Sequence, residues 1–158
     1  MLNELIQQLL DIEEIKKLKG IYCYSVAKED WKTFESLFAE DLVFVSPGGS
    51  PLVSRRVFME FHKKNIQAPK LWGVVRCHTP IITITGADTA TGIWALDDLH
   101  IWPGSEGPRV GHRGYGHYYE EYIRLKEGWR FKRIEVINER MDPLEGGFGQ
   151  MAGMPPNK

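Results

Sequence analysis

The sequence predicts an α+β fold in which three N-terminal helices pack on one face of a strongly curved, mostly antiparallel sheet. In the first part of the chain, apolar residues recur at steps of three and four, which is the period of a helix. From Trp72 onward the period changes to two, as in strands, and short turn segments separate the runs. Strands of this length cannot stay flat, so we expect a half-open cone with a cavity between sheet and helices.

The first predicted helix covers residues 2 to about 28, because apolar residues line one side and Glu, Gln and Lys fill the other. Asp30 is the expected N-cap of a second helix, residues 31–38, since its short side chain can accept the first free backbone N–H groups. Ser54 is the expected cap of a third helix, which ends near Asn65.

Five strands are predicted, one before the third helix and four in succession after it. They cover residues 41–46, 71–85, 89–102, 110–125 and 129–140. Long strands joined by short turns predict an antiparallel meander. All these elements form one domain, residues 1–141, and the Gly- and Pro-rich residues 142–158 are predicted to be an irregular tail.

Composition and charge argue against two classes of partner. The 158 residues carry a net charge of −1 with Lys and Arg scattered among Asp and Glu, so nucleic acid is not expected. No apolar run approaches the roughly 20 residues that a membrane-spanning helix needs. No secretory signal pattern is visible, so we expect a cytoplasmic protein in which Cys23 and Cys77 are reduced thiols.

One face of the strand 89–102 has the composition of a binding pocket. Alternation places Trp94, Leu96, Asp98, His100 and Trp102 on that face. Two indole rings beside a carboxylate and an imidazole would suit an aromatic or polycyclic ligand. In the alternative interpretation the tryptophans belong to the core or to an interface, and Asp98 and His100 are exposed rim groups.

His78 is the first candidate for a general acid or base, because imidazole titrates near neutral pH. Alternation places it with Pro80, Ile82 and Ile84, and a lone histidine in such an apolar setting is more often a core residue. Cys77 would point to the opposite face, which argues against a Cys–His nucleophilic pair.

Three further residues are candidates with strong structural alternatives. Tyr22 is on the inner side of the first helix and could donate a proton or stabilise an oxyanion, although a core tyrosine would occupy the same position. Asn138 and Arg140 share a face of the last strand and could bind substrate, or be solvated strand-end residues. The tyrosine-rich segment 112–122 could line the pocket or an oligomer interface.

No cofactor motif is present. The sequence contains no phosphate-binding loop, dinucleotide fingerprint, nucleophile elbow or zinc-protease helix. The five histidines are not spaced as a metal motif, and His112 and His117 would face opposite sides of a strand. We therefore expect a reaction without cofactor or metal, or no reaction.

Several short motifs, in this order and spacing, resemble the SnoaL-like branch of the NTF2-like superfamily. The subgroup that fits best contains bile-acid 7α-dehydratase and scytalone dehydratase. The motifs are the helix segment 11–22, Asp30-Trp31, His78-Thr79-Pro80 with the strand after it, Ala90-Thr91-Gly92-Ile93-Trp94, and Gly128-Trp129-Arg130-Phe131.

This resemblance implies a cone-shaped barrel, assembled as a dimer or trimer, with cofactor-free elimination, isomerisation or aldol-type chemistry on cyclic substrates. Dehydration is the first expectation, and retro-aldol C–C cleavage or isomerisation the next. Tyr22 matches the catalytic tyrosine, and Asp98 a pocket aspartate, of bile-acid 7α-dehydratase. His78 matches a catalytic histidine of both dehydratases, and His100 a second catalytic histidine of scytalone dehydratase. One departure is Ala27, where the dehydratases carry an aspartate that orients the histidine. We expect Asp98 to take over that role for His78.

The expected function is a cofactor-independent lyase or isomerase that acts on a hydroxylated cyclic or aromatic small molecule. His78 would move the proton, Asp98 would orient the imidazole of His78, and Tyr22 would hydrogen-bond the carbonyl or the leaving hydroxyl of the substrate. Trp94, His100, Trp102, Asn138 and Arg140 would contact the substrate. The alternative, favoured by Ala27, is a non-catalytic domain that binds small molecules or serves in assembly.

Overall fold

The computed structural model describes residues 2–67, 72–102 and 110–144 of the chain. The helices are α1 (Leu2–Lys28), α2 (Trp31–Ser36) and α3 (Arg55–His62), and a π-helical segment, Lys63–Gln67, follows α3. The strands are β1 (Phe38–Val45), β2 (Leu52–Val53), β3 (Trp72–Gly86), β4 (Thr89–Trp102), β5 (Val110–Leu125) and β6 (Gly128–Leu144).

The six strands of the described residues form one sheet in the order β2-β1-β6-β5-β4-β3. β3 to β6 are an antiparallel meander, as predicted, and β1 joins β6 in parallel, with Phe44 opposite Ile134. The helices pack on one face of this curved sheet. The α+β prediction is confirmed.

Both predicted helix caps are present. Asp30 Oδ1 accepts a hydrogen bond of 3.1 Å from the backbone N–H of Thr33, and Ser54 Oγ accepts one of 3.3 Å from that of Val57. The second helix ends at Ser36 rather than at Phe38, because the backbone carbonyl of Leu37 accepts a hydrogen bond from the sheet. β1 therefore begins before residue 41, the predicted start.

The core lies between the helices and the face of the sheet that they cover. Its most deeply buried apolar side chains come from every layer: Ile15 of α1, Phe34 of α2, Phe58 of α3, and Phe131 and Ile134 of β6. The first turns of α1 do not belong to this core, since Leu2, Leu5 and Leu9 are more than half exposed.

The homo-oligomer that the sequence suggests stays a prediction.

β6 continues through Leu144, so residues 142–144 belong to a strand rather than to the irregular tail predicted from 142. Residues 145–158 lie outside the described residues. Within the described part of the chain, no helix is both long and apolar enough to cross a membrane.

Candidate active site

A buried polar chain of four side chains lies between α1 and the sheet. The Lys19 ammonium donates to one carboxylate oxygen of Glu120 on β5, and both side chains are almost fully buried. The Tyr122 hydroxyl donates to the other oxygen of Glu120 and accepts a hydrogen bond of 2.8 Å from the indole N–H of Trp94. Each buried charge is therefore paired, which limits the cost of removing it from water.

Tyr22 is part of the aromatic core beside this buried polar chain. Its side chain is buried, its ring packs on Phe34 and Phe131, and the Lys19 ammonium lies 4.5 Å from its ring centroid. Burial raises the pKa of its hydroxyl well above the ordinary value, although a hydrogen bond shared with Tyr118 opposes this. The Tyr22 hydroxyl is therefore neutral at physiological pH.

Three titratable side chains converge where β4 ends and β5 begins. His100 Nδ1 lies 3.5 Å, and His112 Nε2 3.7 Å, from the same oxygen of Asp98, Oδ1. The backbone N–H of Gly114 donates a hydrogen bond of 2.9 Å to that oxygen. We call Asp98, His100 and His112 the Asp98 cluster; each of their side chains is at most 20% exposed.

The electrostatics of this cluster keep an imidazole available as a base. Burial and the neighbouring His100 lower the pKa of His112, and the Asp98 carboxylate offsets this only in part. His112 is therefore neutral at pH 7. The buried Nδ1 atom of His100 has no hydrogen-bond partner among the described residues, and the acceptor that approaches it is Asp98 Oδ1 at 3.5 Å.

Trp102 flanks the cluster. Its ring centroid lies 5.2 Å from that of His112 and 6.5 Å from that of His100, and its side chain remains partly exposed. The Asp98 cluster thus has an accessible aromatic surface beside it, on which a planar ring could stack.

The other predicted substrate-binding residues are dispersed. Trp94 is buried and belongs to the polar chain described above, so it is a core residue, as the alternative interpretation proposed. Asn138 is opposite Gly116 on β5, with its amide nitrogen 3.3 Å from the sulfur of Met141. Arg140 is exposed and pairs with Asp142 at 2.7 Å.

Ala27 lines the same crevice as His100, and His78 is not part of that lining. A narrow crevice between α1 and the sheet is lined by Val26, Ala27, Trp31, Gly73 and His100, among others. The position where the dehydratases carry an aspartate therefore lies beside the Asp98 cluster, and Asp98 provides a carboxylate there.

His78 lies on the outer face of the sheet. The pairing of β3 with β4 shifts between His78 and Ile81, and Thr79 has a φ of +37°. This bulge interrupts the alternation, so His78 is about half exposed while Ile82 and Ile84 pack against the core. The expectation that these three residues share a face is wrong for that reason.

The partner of His78 is Asp97, not Asp98. His78 Nε2 lies 2.8 Å from Asp97 Oδ2, and Arg76 contacts the other carboxylate oxygen at 3.3 Å. Neighbouring residues of a strand point to opposite faces, so Asp98 cannot replace Asp97 in this contact. The expectation that Asp98 orients His78 is wrong.

His112 is the member of the cluster that sequence reasoning did not single out. In the β4–β5 pairing it stands directly opposite His100. The signal was available, because two strands predicted at 89–102 and 110–125 and joined as a hairpin place residues 100 and 112 in one cross-strand pair.

The Asp98 cluster also has the donor set of a metal site. One carboxylate oxygen and two imidazole nitrogens lie within 4.8 Å of one another, an arrangement that could hold a divalent transition-metal ion. Sequence spacing did not show this, because strand pairing, not a local motif, brings the three residues together.

Comparison with known proteins identifies the family. The family model described as "SnoaL-like domain" matches residues 7–135. Hexachlorocyclohexane dehydrochlorinase LinA type 2 has the same fold, with a TM-score of 0.80 and 17% identity over 94% of this chain and 99% of that one. LinA type 3 from Novosphingobium barchaimii gives 0.78 and 18% over 96% and 99%.

A scytalone dehydratase-like protein from Novosphingobium aromaticivorans gives a TM-score of 0.75 and 14% identity over 94% of this chain and 97% of that one. Identities this low show a shared fold. The match of the family model to most of the chain shows more: the chain belongs to the SnoaL-like domain family of the NTF2-like superfamily.

Proposed function

We propose that this protein is a cofactor-independent lyase or isomerase that transfers protons at the Asp98 cluster. The observation that carries the proposal is the convergence of two imidazoles on one carboxylate oxygen, at 3.5 and 3.7 Å. A carboxylate in this position orients imidazoles and stabilises their protonated form.

The two imidazoles have separate roles in an elimination. His112, neutral at pH 7, takes the proton from the substrate carbon, and the Asp98 carboxylate stabilises the resulting imidazolium. His100, whose side chain lines the crevice between α1 and the sheet, is our candidate to hydrogen-bond the leaving hydroxyl and to give it a proton. An isomerisation would use the same two transfers without loss of the leaving group.

The relatives support an elimination. A dehydrochlorinase and a scytalone dehydratase-like protein are among the proteins with this fold, and both names refer to removal of a proton together with a leaving group. Trp102 supports a cyclic or aromatic substrate, since its ring is partly exposed beside both imidazoles. We therefore propose a hydroxylated cyclic or aromatic molecule as the substrate class.

A rival site for the same chemistry is the His78–Asp97 pair, whose contact of 2.8 Å is the shortest between an imidazole and a carboxylate at either candidate position. His78 lines, with Trp94, a groove of about 480 Å³ between α1 and β3. Both His78 and Asp97 are nevertheless more than one third exposed, so solvent screens the carboxylate. We therefore favour the less exposed Asp98 cluster.

The test is turnover of a panel of cyclic β-hydroxy ketones and aryl alcohols by the wild type and by His112→Gln, His100→Gln and His78→Gln. We expect the first two variants to lose about 100-fold or more in kcat/KM, because acid–base groups contribute at least that much. The matched outer-face control, His78→Gln, should stay within about twofold. Loss confined to His78→Gln would move the site to His78 and Asp97.

A second candidate is a domain that binds small molecules without converting them. It is favoured by Ala27, which stands where the dehydratases carry the aspartate that orients the histidine. It is also favoured by the four buried side chains between α1 and the sheet, because they are bonded to one another rather than available to a substrate. Binding of the panel compounds that Trp102→Phe weakens, with no turnover of any compound, would support it over the enzyme.

A further inference from the structure

The two cysteines of the chain face each other between α1 and β3. Cys23 Sγ lies 3.7 Å from Cys77 Sγ, although 54 positions separate the residues in the sequence. Both thiols are free and partly buried. β3 is an edge strand of the described sheet. An S–S bond is about 2.05 Å long, so the sulfurs must approach each other by roughly 1.7 Å to form one.

The same groove of about 480 Å³ gives access to both thiols, and its walls also carry Lys16, Lys19, Arg76 and His78. Positive groups beside a thiol favour the thiolate, which is the reactive form. The hydrogen bond with Cys77 lowers the pKa of Cys23, and burial opposes this. The Lys19 ammonium lowers the pKa further, while the carboxylate of its partner Glu120 raises it. The same hydrogen bond and burial raise the pKa of Cys77, so Cys23 is the more acidic thiol.

We propose that Cys23 and Cys77 are a peroxide-sensitive thiol pair that forms a disulfide between α1 and β3. The Cys23 thiolate attacks a peroxide oxygen, the O–O bond breaks, and the departing hydroxide takes up a proton as water, which leaves a sulfenic acid on Cys23. The Cys77 sulfur then attacks the Cys23 sulfur, the S–O bond breaks, and a second water leaves with the Cys77 proton. Two thiols are oxidised and one hydrogen peroxide is reduced to two waters.

The disulfide would also act on the Asp98 cluster, and this part of the inference rests on the proposed function. Val26 and Ala27, about one turn beyond Cys23 on α1, line the crevice that contains His100. Gly73, four residues before Cys77 on β3, abuts the His100 ring, where a Cβ atom would lie 2.7 Å from its Cδ2 atom. Drawing α1 towards β3 would narrow this crevice and slow turnover.

The experiment exposes the full chain to excess hydrogen peroxide, blocks the remaining thiols with N-ethylmaleimide and measures the intact mass. Because the chain has only two cysteines, the products are unambiguous. We expect the wild type to lose two hydrogens and both reactive thiols, to run as a monomer on a denaturing non-reducing gel, and to recover both thiols with dithiothreitol. Cys77→Ser should trap a dimedone-reactive sulfenic acid on Cys23, and Cys23→Ser should react at least about tenfold more slowly.

Retention of both thiols, over-oxidation of the wild type to sulfinic acid, or disulfides only between chains would overturn the proposal. Equal reaction rates of the two single variants would overturn the assignment of Cys23 as the attacking thiol. Turnover before and after peroxide tests the effect on the Asp98 cluster. A reduced protein without any turnover would refute the proposed function and leave the mass measurement as an independent test of the disulfide.

Discussion

Gly114 and Asp98 are joined by a hydrogen bond of 2.9 Å from the backbone N–H of Gly114 to Oδ1 of Asp98. This oxygen is the one that both imidazoles of the cluster approach, so the contact fixes the carboxylate between them. It requires a residue without a side chain, because a Cβ atom at position 114 would lie 2.5 Å from Oδ1.

Replacing Gly114 with alanine should therefore displace the Asp98 carboxylate. We expect Gly114→Ala to lower kcat/KM by about 10- to 100-fold, since misplacing a catalytic group by about 1 Å costs that much. Steady-state kinetics on any substrate that the wild type converts checks this. The control is Gly20→Ala in α1, where a Cβ atom meets nothing within 4 Å, and which should gain about 0.5–1 kcal/mol of stability without loss of activity. Full activity of Gly114→Ala would contradict the role given to this contact.

Asp98→Asn should abolish most of the activity, because the amide cannot stabilise an imidazolium. We expect a fall of about 100-fold or more in kcat/KM. Asp97→Asn is the matched control, one residue away on the same strand and facing the other side of the sheet, and should stay within about twofold of the wild type. A larger loss in the control than in Asp98→Asn would refute the assignment of the site.

Breaking the buried ion pair should destabilise the fold. Lys19→Met leaves the buried Glu120 carboxylate without its cation, and we expect a loss of about 3–5 kcal/mol in the free energy of unfolding by urea. The double variant Lys19→Met/Glu120→Leu should lose less than the single one, because no unpaired charge remains. Lys16→Met, which removes an exposed pair with Glu13, should change stability by under about 1 kcal/mol. A single variant as stable as the wild type would contradict this account.

His62 should make stability fall as the pH is lowered. Its ring packs on Trp31 and Phe34 at 4.8 and 4.9 Å, and burial lowers its pKa from 6.5 to about 4. Between pH 4 and pH 6.5 the unfolded chain takes up a proton at His62 and the folded chain does not. The contribution of neutral His62 to the free energy of unfolding is therefore complete above about pH 6.5 and is lost as the pH falls towards 4.

The expected loss from His62 is about 2 kcal/mol between pH 6.5 and pH 5. Urea unfolding at several pH values checks it. His62→Phe, which preserves the aromatic packing, should flatten this part of the profile. Identical profiles for His62→Phe and the wild type would show that His62 is not the source.

Activity should survive removal of metal ions, because proton transfer at the Asp98 cluster requires only its own side chains. We expect protein treated with EDTA and freed of chelator to retain its kcat/KM. Activity that is lost with EDTA and restored by Zn²⁺ would contradict a cofactor-independent reaction and would assign the three ligand atoms to a metal site.

Much of the fold could be predicted because its signals are local. The helix over residues 2–28 and the strands over 89–102 and 110–125 were predicted with the bounds that the structure has. Periodicity and turn residues determine such elements, and a capping side chain such as Asp30 acts within three residues. The face of β4 that carries Asp98 and His100 followed from strict alternation, which no bulge on β4 interrupts within its pairing with β5.

The prediction for His78 depended on the same alternation and was undone by a single bulge. Thr79, with a φ of +37°, adds a residue to β3, so the side chains before and after it change faces. Sequence alone does not show where a bulge lies, because strand pairing rather than side-chain type fixes the register.

The sequence by itself determined the order of the helices and strands, the SnoaL-like resemblance and the position of Asp98 on the same face of β4 as His100, since each depends on local period or motif. Only the tertiary structure decided which groups meet. Lys19 and Glu120 are 101 positions apart, Cys23 and Cys77 are 54 apart, and His112 reaches Asp98 across a hairpin. Such contacts form because the sheet curves under α1 and because its strands pair in a particular register. No single segment of the chain determines the curvature or the register.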